Sequence, residues 1–209
     1  LGADYVRVFV VLGGDFFPAP DGSQQDPWRD ASIPWRDPNF ATWMGLTTDH
    51  IYDTYGLKVH WTLIGGRAQV PIRADQEAVA QMWLDVHRSR LTKVELVEVW
   101  NEYSVNNGTT EELRHIARYL RDRLPPGFPV TLSSPVIAHQ AAPVADVWRE
   151  IDKMYGGDSG ANTFTYHASR PEPVWGPGSD WGPVVRSLAK RNSEPRGPGA
   201  SAGGDVTNP

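Results

Sequence analysis

Short apolar runs alternate with longer amphipathic stretches along most of the chain. The runs are rich in β-branched and aromatic residues, which is typical of buried strands, and several end at glycine or at a polar residue. The last run is polar and is assigned as a strand only because the alternation places one there. The pattern predicts six strands, at 5–11, 57–64, 94–102, 130–134, 162–167 and 191–195.

The stretches between the runs repeat apolar residues every three to four positions, which is the period of a helix with one buried face. They predict helices over 40–55, 74–90, 109–124, 143–155 and 183–190. Strict alternation of strand and helix favours a parallel sheet with right-handed crossovers. Six units fit a barrel or a doubly wound sheet, but no glycine-rich phosphate-binding motif follows a strand, so nothing supports a nucleotide-binding sheet.

Composition narrows the class of protein. The chain has 209 residues, of which 40% are hydrophobic, and a formal net charge of −5, which suits a single domain over 1–209. No basic stripe and no apolar run of about 18 residues is present, so we expect neither a nucleic-acid partner nor a membrane span. The chain has no cysteine, which leaves the compartment open, a secreted or extracellular one included. No metal-ligand spacing is visible, and we expect no metal and no cofactor.

Polar residues follow the predicted strands where they end. The strand at 94–102 stops at Trp100-Asn101-Glu102, and Glu194 lies at the end of the last predicted strand. In a barrel both acids would reach the same face, across the mouth from one another, and active sites lie on that face. Two carboxyls about 5–5.5 Å apart suit retaining glycoside hydrolysis. Arg7, a cation within a strand, could keep the nucleophile ionised.

Trp100-Asn101-Glu102 at the end of an apolar strand resembles the acid/base signature of clan A of the glycoside hydrolases, a set of (β/α)8-barrel families. The resemblance implies that Glu102 on the fourth strand is the acid/base and that Glu194 on the seventh is the nucleophile. It implies that Asn101 contacts the sugar 2-hydroxyl and that Arg7 lies beside the nucleophile. The remaining matches to clan positions near the sugar or the nucleophile are His60, Tyr166 and His167.

The segment 97–102 is similar to cellulase-like, β-xylosidase-like and iduronidase-like members alike, so the family within the clan stays open. The implied substrate is a poly- or oligosaccharide, and the oligomeric state is not indicated. By this strand count the first and eighth strands are missing from the chain. We therefore expect an incomplete TIM barrel, either a fragment of a longer protein or a barrel that a partner closes.

Other side chains carry narrower expectations. Glu98 shares the parity of Glu102 and is expected to face inward, paired with a cation, whereas Trp61 is expected to face the helices. Three histidines on predicted helices, His50, His87 and His115, are expected at the surface. Aromatic residues on long loops could stack on sugar rings: Trp28, Trp35, Trp175 and Trp181.

Two other functions compete with hydrolysis. One is a non-catalytic carbohydrate-binding or structural barrel that keeps the face of such an enzyme without turnover. The other is a different barrel enzyme, a lyase or an aldolase, which needs a Schiff-base lysine or a metal cluster at the strand ends. The lysines are Lys58, Lys93, Lys153 and Lys190, and none is expected at the carboxyl end of a strand.

Overall fold

The computed structural model of the chain describes residues 5–11, 34–67, 70–103, 107–133, 144–166 and 183–192. Five of the predicted strands are confirmed to within two residues at each end. The sixth begins at Ala189, two residues before its predicted start. The strands in these ranges are β1 (Tyr5–Val11), β2 (Lys58–Ile64), β3 (Val94–Trp100), β4 (Val130–Ser133), β5 (Thr163–Tyr166) and β6 (Ala189–Asn192).

The predicted helices are also present, with short 3-10 turns at Pro34–Arg36 and Leu91–Lys93. The predicted capping box is confirmed, because Thr109 accepts a bond from the Glu112 backbone while Glu112 reaches back to the backbone of Thr109. The last helix is shorter than predicted, because Ala189 pairs with Thr163 of β5. The helices are α1 (Phe40–Tyr55), α2 (Arg73–His87), α3 (Thr110–Arg121), α4 (Val144–Tyr155) and α5 (Pro183–Ser187).

The strands are parallel and follow one another in chain order. β1, β2, β3 and β4 form one sheet in that sequence, and β5 pairs with β6 in a second sheet. The α/β class is therefore confirmed, with a four-stranded parallel sheet and helices in the connections. The four strands also end level with one another, since Val11 is in register with Ile64, Ile64 with Trp100 and Trp100 with Ser133. The residues that follow them therefore meet at one edge.

A tyrosine hydroxyl bonds to the end of β4, near the start of the second sheet. β5 starts beside β4, where the Asn162 backbone N–H donates to the Val130 carbonyl at 3.0 Å. Further along, the backbone of Ser133 bonds to Tyr155 instead: its N–H donates to the hydroxyl at 3.2 Å, and its carbonyl accepts from it at 3.0 Å. The hydroxyl also contacts Thr131 of β4 at 2.9 Å, and Thr131 contacts Thr165 of β5 at 3.1 Å, so Tyr155 anchors α4 to the end of β4.

The apolar core lies between the sheet and the helices. Trp61 is fully buried and its indole N–H donates to Thr48 of α1 at 3.2 Å, which confirms that this side chain faces the helices. The expectation for His87 is wrong. Its side chain is fully buried, because it continues the buried stripe of α2 and bonds to Thr48 at 2.9 Å. None of the helices in the described ranges combines the length and apolar character needed to cross a membrane.

The opposite face of the sheet is polar and nevertheless buried. Thr62 on β2, Glu98 on β3 and Thr131 on β4 are neighbours in register, and all three are fully inaccessible to solvent. Buried polar groups must be satisfied by hydrogen bonds. The partners of these residues form the centre of the candidate site.

Candidate functional site

A buried ion pair lies under the carboxyl edge of the sheet. Arg7 of β1 reaches past β2 and contacts Glu98 of β3 through its Nη2 atom. Its Nε donates to Thr62 at 2.9 Å, and Nη2 also donates to the Asn101 side-chain oxygen at 3.0 Å. The expectation that Glu98 faces inward against a cation is confirmed. The described carboxylate partner of Arg7 is thus Glu98.

Side chains on three other strands, β1, β2 and β5, contact Glu98. Its Oε2 accepts from Thr62 at 2.8 Å and lies 3.2 Å from Nε2 of His60, while its Oε1 accepts from Thr165 of β5 at 3.2 Å. Burial alone would raise the pKa of Glu98, but the Arg7 charge and the His60 and Thr62 contacts outweigh it and hold that pKa well below its usual range. Glu98 is therefore an anion throughout the neutral pH range.

Asn101 follows β3 and is fixed at both its backbone and its side chain. Its backbone N–H donates to the Ile64 carbonyl at the end of β2, at 2.8 Å. Its side-chain oxygen accepts from Arg7. Since a guanidinium can only donate, the oxygen end of the amide must face Arg7, and this contact determines which way the Asn101 amide points.

Glu102 has a left-handed backbone, with φ of 42°. This conformation is unfavourable for residues other than glycine and persists only where the surroundings impose it. The surroundings here are the bonds on either side: Asn101 is held by Ile64 and Arg7, and the Tyr103 N–H donates to Ser133 Oγ of β4 at 3.1 Å. The Glu102 side chain is partly exposed at this edge.

Gly108 packs on the indole of Trp100. Its N–H donates to the Tyr103 carbonyl at 2.9 Å. A Cβ atom at Gly108 would lie 2.9 Å from Trp100 Cε2 and 3.1 Å from Tyr103 Cβ. Only glycine fits this close to the fully buried Trp100 and to Tyr103, the residue that follows Glu102.

The structure brings together Arg7, His60 and Asn101 of the predicted site, with Glu102 next in sequence. Trp35 lies in the connection between β1 and α1, where it packs against the core and the Arg36 guanidinium lies 4.7 Å from its ring centroid. Tyr166 is the last residue of β5, and its side chain is outside what is described. The remaining predicted site residues lie outside the described residues: Trp28, His167, Trp175, Trp181 and Glu194.

Sequence reasoning missed the hydroxyl groups that complete the site. All three lie on strands: Thr62 and Thr165 donate to Glu98, and Ser133 accepts from the N–H of Tyr103, the residue after Glu102. A signal for them exists. Thr62 and Ser133 lie in register with Glu98 and Trp100, at positions where a strand with both faces buried usually carries an aliphatic residue.

The chain matches no protein-family model, and no curated protein is significantly similar to it. Within the described ranges, no group of three or more His, Asp or Glu side chains is arranged to hold a metal ion. The chemistry available at this edge is that of a partly exposed carboxylic acid beside an oriented amide. An acid in such a position can exchange a proton with a bound molecule while the amide fixes one of that molecule's hydroxyl groups.

Proposed function

We propose that the chain is a retaining glycoside hydrolase of the clan A type, with Glu102 as acid/base and Glu194 as nucleophile. The observation that carries the proposal is the constraint on Asn101-Glu102. The acid lies in an unfavourable backbone conformation at the carboxyl edge of a parallel sheet, next to an amide that a buried ion pair orients. Backbone strain of this kind clusters at functional sites.

The proposal includes a (β/α)8 barrel, and the sheet supports it in two ways. The strands follow one another in chain order, and right-handed crossovers then put all connecting helices on one face of the sheet. The other face is covered if the sheet closes into a barrel. That other face is buried although it is polar. Glu98 moreover contacts Arg7 and Thr165, each two strands away, as expected on a concave face.

The offset of the two acids from their strands supports the pairing of Glu102 with Glu194. Glu102 follows the last residue of β3, Trp100, by two positions, and Glu194 follows the last residue of β6, Asn192, by two positions. β3 and β6 are separated by two strands in chain order. In an eight-stranded ring such strands lie across the mouth from one another.

The mechanism has two displacements. Glu102 donates its proton to the glycosidic oxygen while Glu194 attacks the anomeric carbon, so the bond to the leaving group breaks as an ester to the enzyme forms. Glu102, now a carboxylate, takes a proton from water, and the water oxygen attacks the same carbon and releases Glu194. Asn101 binds the neighbouring sugar hydroxyl throughout.

Azide rescue of two variants tests these roles. We expect Glu102→Ala and Glu194→Ala to lose most hydrolysis of aryl glycosides, by about 10²-fold or more. Azide should restore turnover in both, with opposite products. The Glu102→Ala variant should yield a glycosyl azide with the configuration of the substrate, and the Glu194→Ala variant one with the inverted configuration, since azide then occupies the site of the missing nucleophile.

Glu95→Ala is the matched control, because Glu95 lies on β3 and pairs with Lys58 near the start of β2. It should hydrolyse the substrates as the wild type does. Undiminished hydrolysis by Glu194→Ala would contradict the assigned nucleophile. Saturable sugar binding by a wild-type chain that hydrolyses no α- or β-glycoside would instead establish the non-catalytic carbohydrate-binding barrel.

A further inference from the structure

We propose that Glu98 is a positioning residue of the site, which acts through Arg7 to fix the orientation of the Asn101 amide. The expected effect of Glu98 on kcat rests on the proposed function. Its expected effect on the orientation of the Asn101 amide does not. Glu98 has no exposed surface and lies within β3, three residues before Asn101, so it does not touch a sugar. Its effect has to pass through a neighbour.

Arg7 is that neighbour, and one atom makes the connection. The Nη2 atom donates both to the Glu98 carboxylate and to the Asn101 oxygen. Arg7 is nearly buried, with 9% of its side chain exposed, so its position depends on its bonds more than on solvent. The Nε atom donates to Thr62, and Thr62 in turn donates to Glu98. Both bonded nitrogen atoms of the guanidinium are thus held by the Glu98 carboxylate, one directly and one through Thr62.

Loss of the Glu98 charge would therefore release the Asn101 amide. Glutamine has nearly the volume of glutamate but a weaker acceptor, and its N–H₂ end cannot accept from Arg7. The Arg7 guanidinium would then shift from its present position, and its bond to the amide oxygen of Asn101 would be lost. Glu95→Gln is the matched control, since it makes the same chemical change on the same strand, at a residue that pairs with Lys58 outside this network.

The first measurement needs no substrate. Crystal structures of the wild type and of the Glu98→Gln and Glu95→Gln variants give the separation of Arg7 Nη2 and Asn101 Oδ1, which is 3.0 Å here. We expect this bond to be kept in Glu95→Gln and lost in Glu98→Gln, with the amide rotated or in two orientations. An unchanged bond in Glu98→Gln overturns the inference, whether or not the chain is a glycosidase.

The second measurement separates positioning from mere support of the fold. On aryl glycosides, Glu98→Gln should lower kcat by about 10–100-fold while KM changes little, since a misplaced group costs most in the transition state. In an Arg7→Met background the same change should alter kcat by less than about twofold, because the intermediary is already gone. A loss of equal size in both backgrounds would overturn the inference.

Removal of one partner of a buried ion pair can prevent folding. If neither single variant folds, the Arg7→Met/Glu98→Gln double variant decides the question, because it has no unpaired charge. Its crystal structure should show the Asn101 amide rotated or in two orientations, and an amide that keeps the orientation it has in the wild type overturns the inference. A wild type without glycosidase activity would contradict the proposed function alone.

Discussion

At the scale of single residues, the site depends on strain that its neighbours impose. Glu102 has a φ of 42°, and the bonds of Asn101 and Tyr103 leave it little freedom to relax. A left-handed conformation costs a non-glycine residue about 1–2 kcal/mol. The strained backbone that directs the Glu102 carboxyl group thus lowers the free energy of unfolding. A substitution that relieves the strain raises stability while it removes activity.

Glycine and alanine at position 102 measure this strain. We expect Glu102→Gly to be more stable than Glu102→Ala by about 1 kcal/mol, because only glycine adopts the conformation without strain. The measurement is urea denaturation of both variants. Glu111 in the first turn of α3 is the control, where the order should reverse, since alanine is favoured over glycine in a helix. If the glycine variant were the more stable, or the alanine variant the more stable, at both positions, Glu102 would not be strained.

His87 makes stability depend on pH. Burial lowers the pKa of His87 from 6.5 to about 4, although its Nδ1–H donates to the Trp83 carbonyl at 2.9 Å and that bond alone would raise the pKa. The folded chain therefore keeps His87 neutral. As the pH falls from 6.5 towards 4, the unfolded chain takes up a proton and the folded chain does not. The free energy of unfolding should therefore decrease over this range, by up to about 3 kcal/mol.

Denaturation curves at intervals between about pH 4 and about pH 7 test the assignment. His87→Gln should be less stable than the wild type near neutral pH, and the difference should shrink as the pH falls. His50→Gln, at an exposed position on α1, should keep the slope of the wild type. A slope that survives in His87→Gln and disappears in His50→Gln would contradict the assignment.

At the scale of elements, the order and bounds of strands and helices follow from local pattern. The first five strands could be predicted because each is a run of apolar residues that ends at glycine or a polar residue. β6 begins two residues and ends three residues before its predicted bounds, because its sequence, Ala189–Asn192, has no such pattern and only pairing with β5 determines it. His87 could have been assigned to the interior, since it lies four residues after the buried Trp83.

Close approach of α3 to the start of β5 depends on a glycine. Gly160 has a φ of +87°, and a Cβ atom there would lie 2.4 Å from the Arg118 backbone nitrogen. We expect Gly160→Ala to lower the free energy of unfolding by about 2–5 kcal/mol, from backbone strain and overpacking together. Gly127→Ala, with φ of +83° and no atom within 4 Å, carries the strain alone and should lose about 1–2 kcal/mol. Equal losses in urea denaturation would show that the contact with α3 does not matter.

At the scale of the whole molecule, the sequence predicts which residues lie at the strand ends but not how strongly the sheet curves. Asn101 and Glu102 could be found from the end of an apolar run. The contacts of Glu98 with Arg7 and Thr165 could not, because they join strands that are far apart in sequence and are not paired with one another. The position of the end of β6 relative to that of β3 determines whether Glu102 and Glu194 form a pair.

The distance between those two carboxyl groups tests the central claim most directly. A crystal structure of the chain, or of a longer protein that contains it, gives this distance without any choice of substrate. A retaining hydrolase requires carboxyls about 5–5.5 Å apart, and we predict a separation in this range. A separation of about 6.5–9.5 Å would indicate inversion and contradict the double displacement, and one beyond about 12 Å would exclude Glu194 as the partner of Glu102.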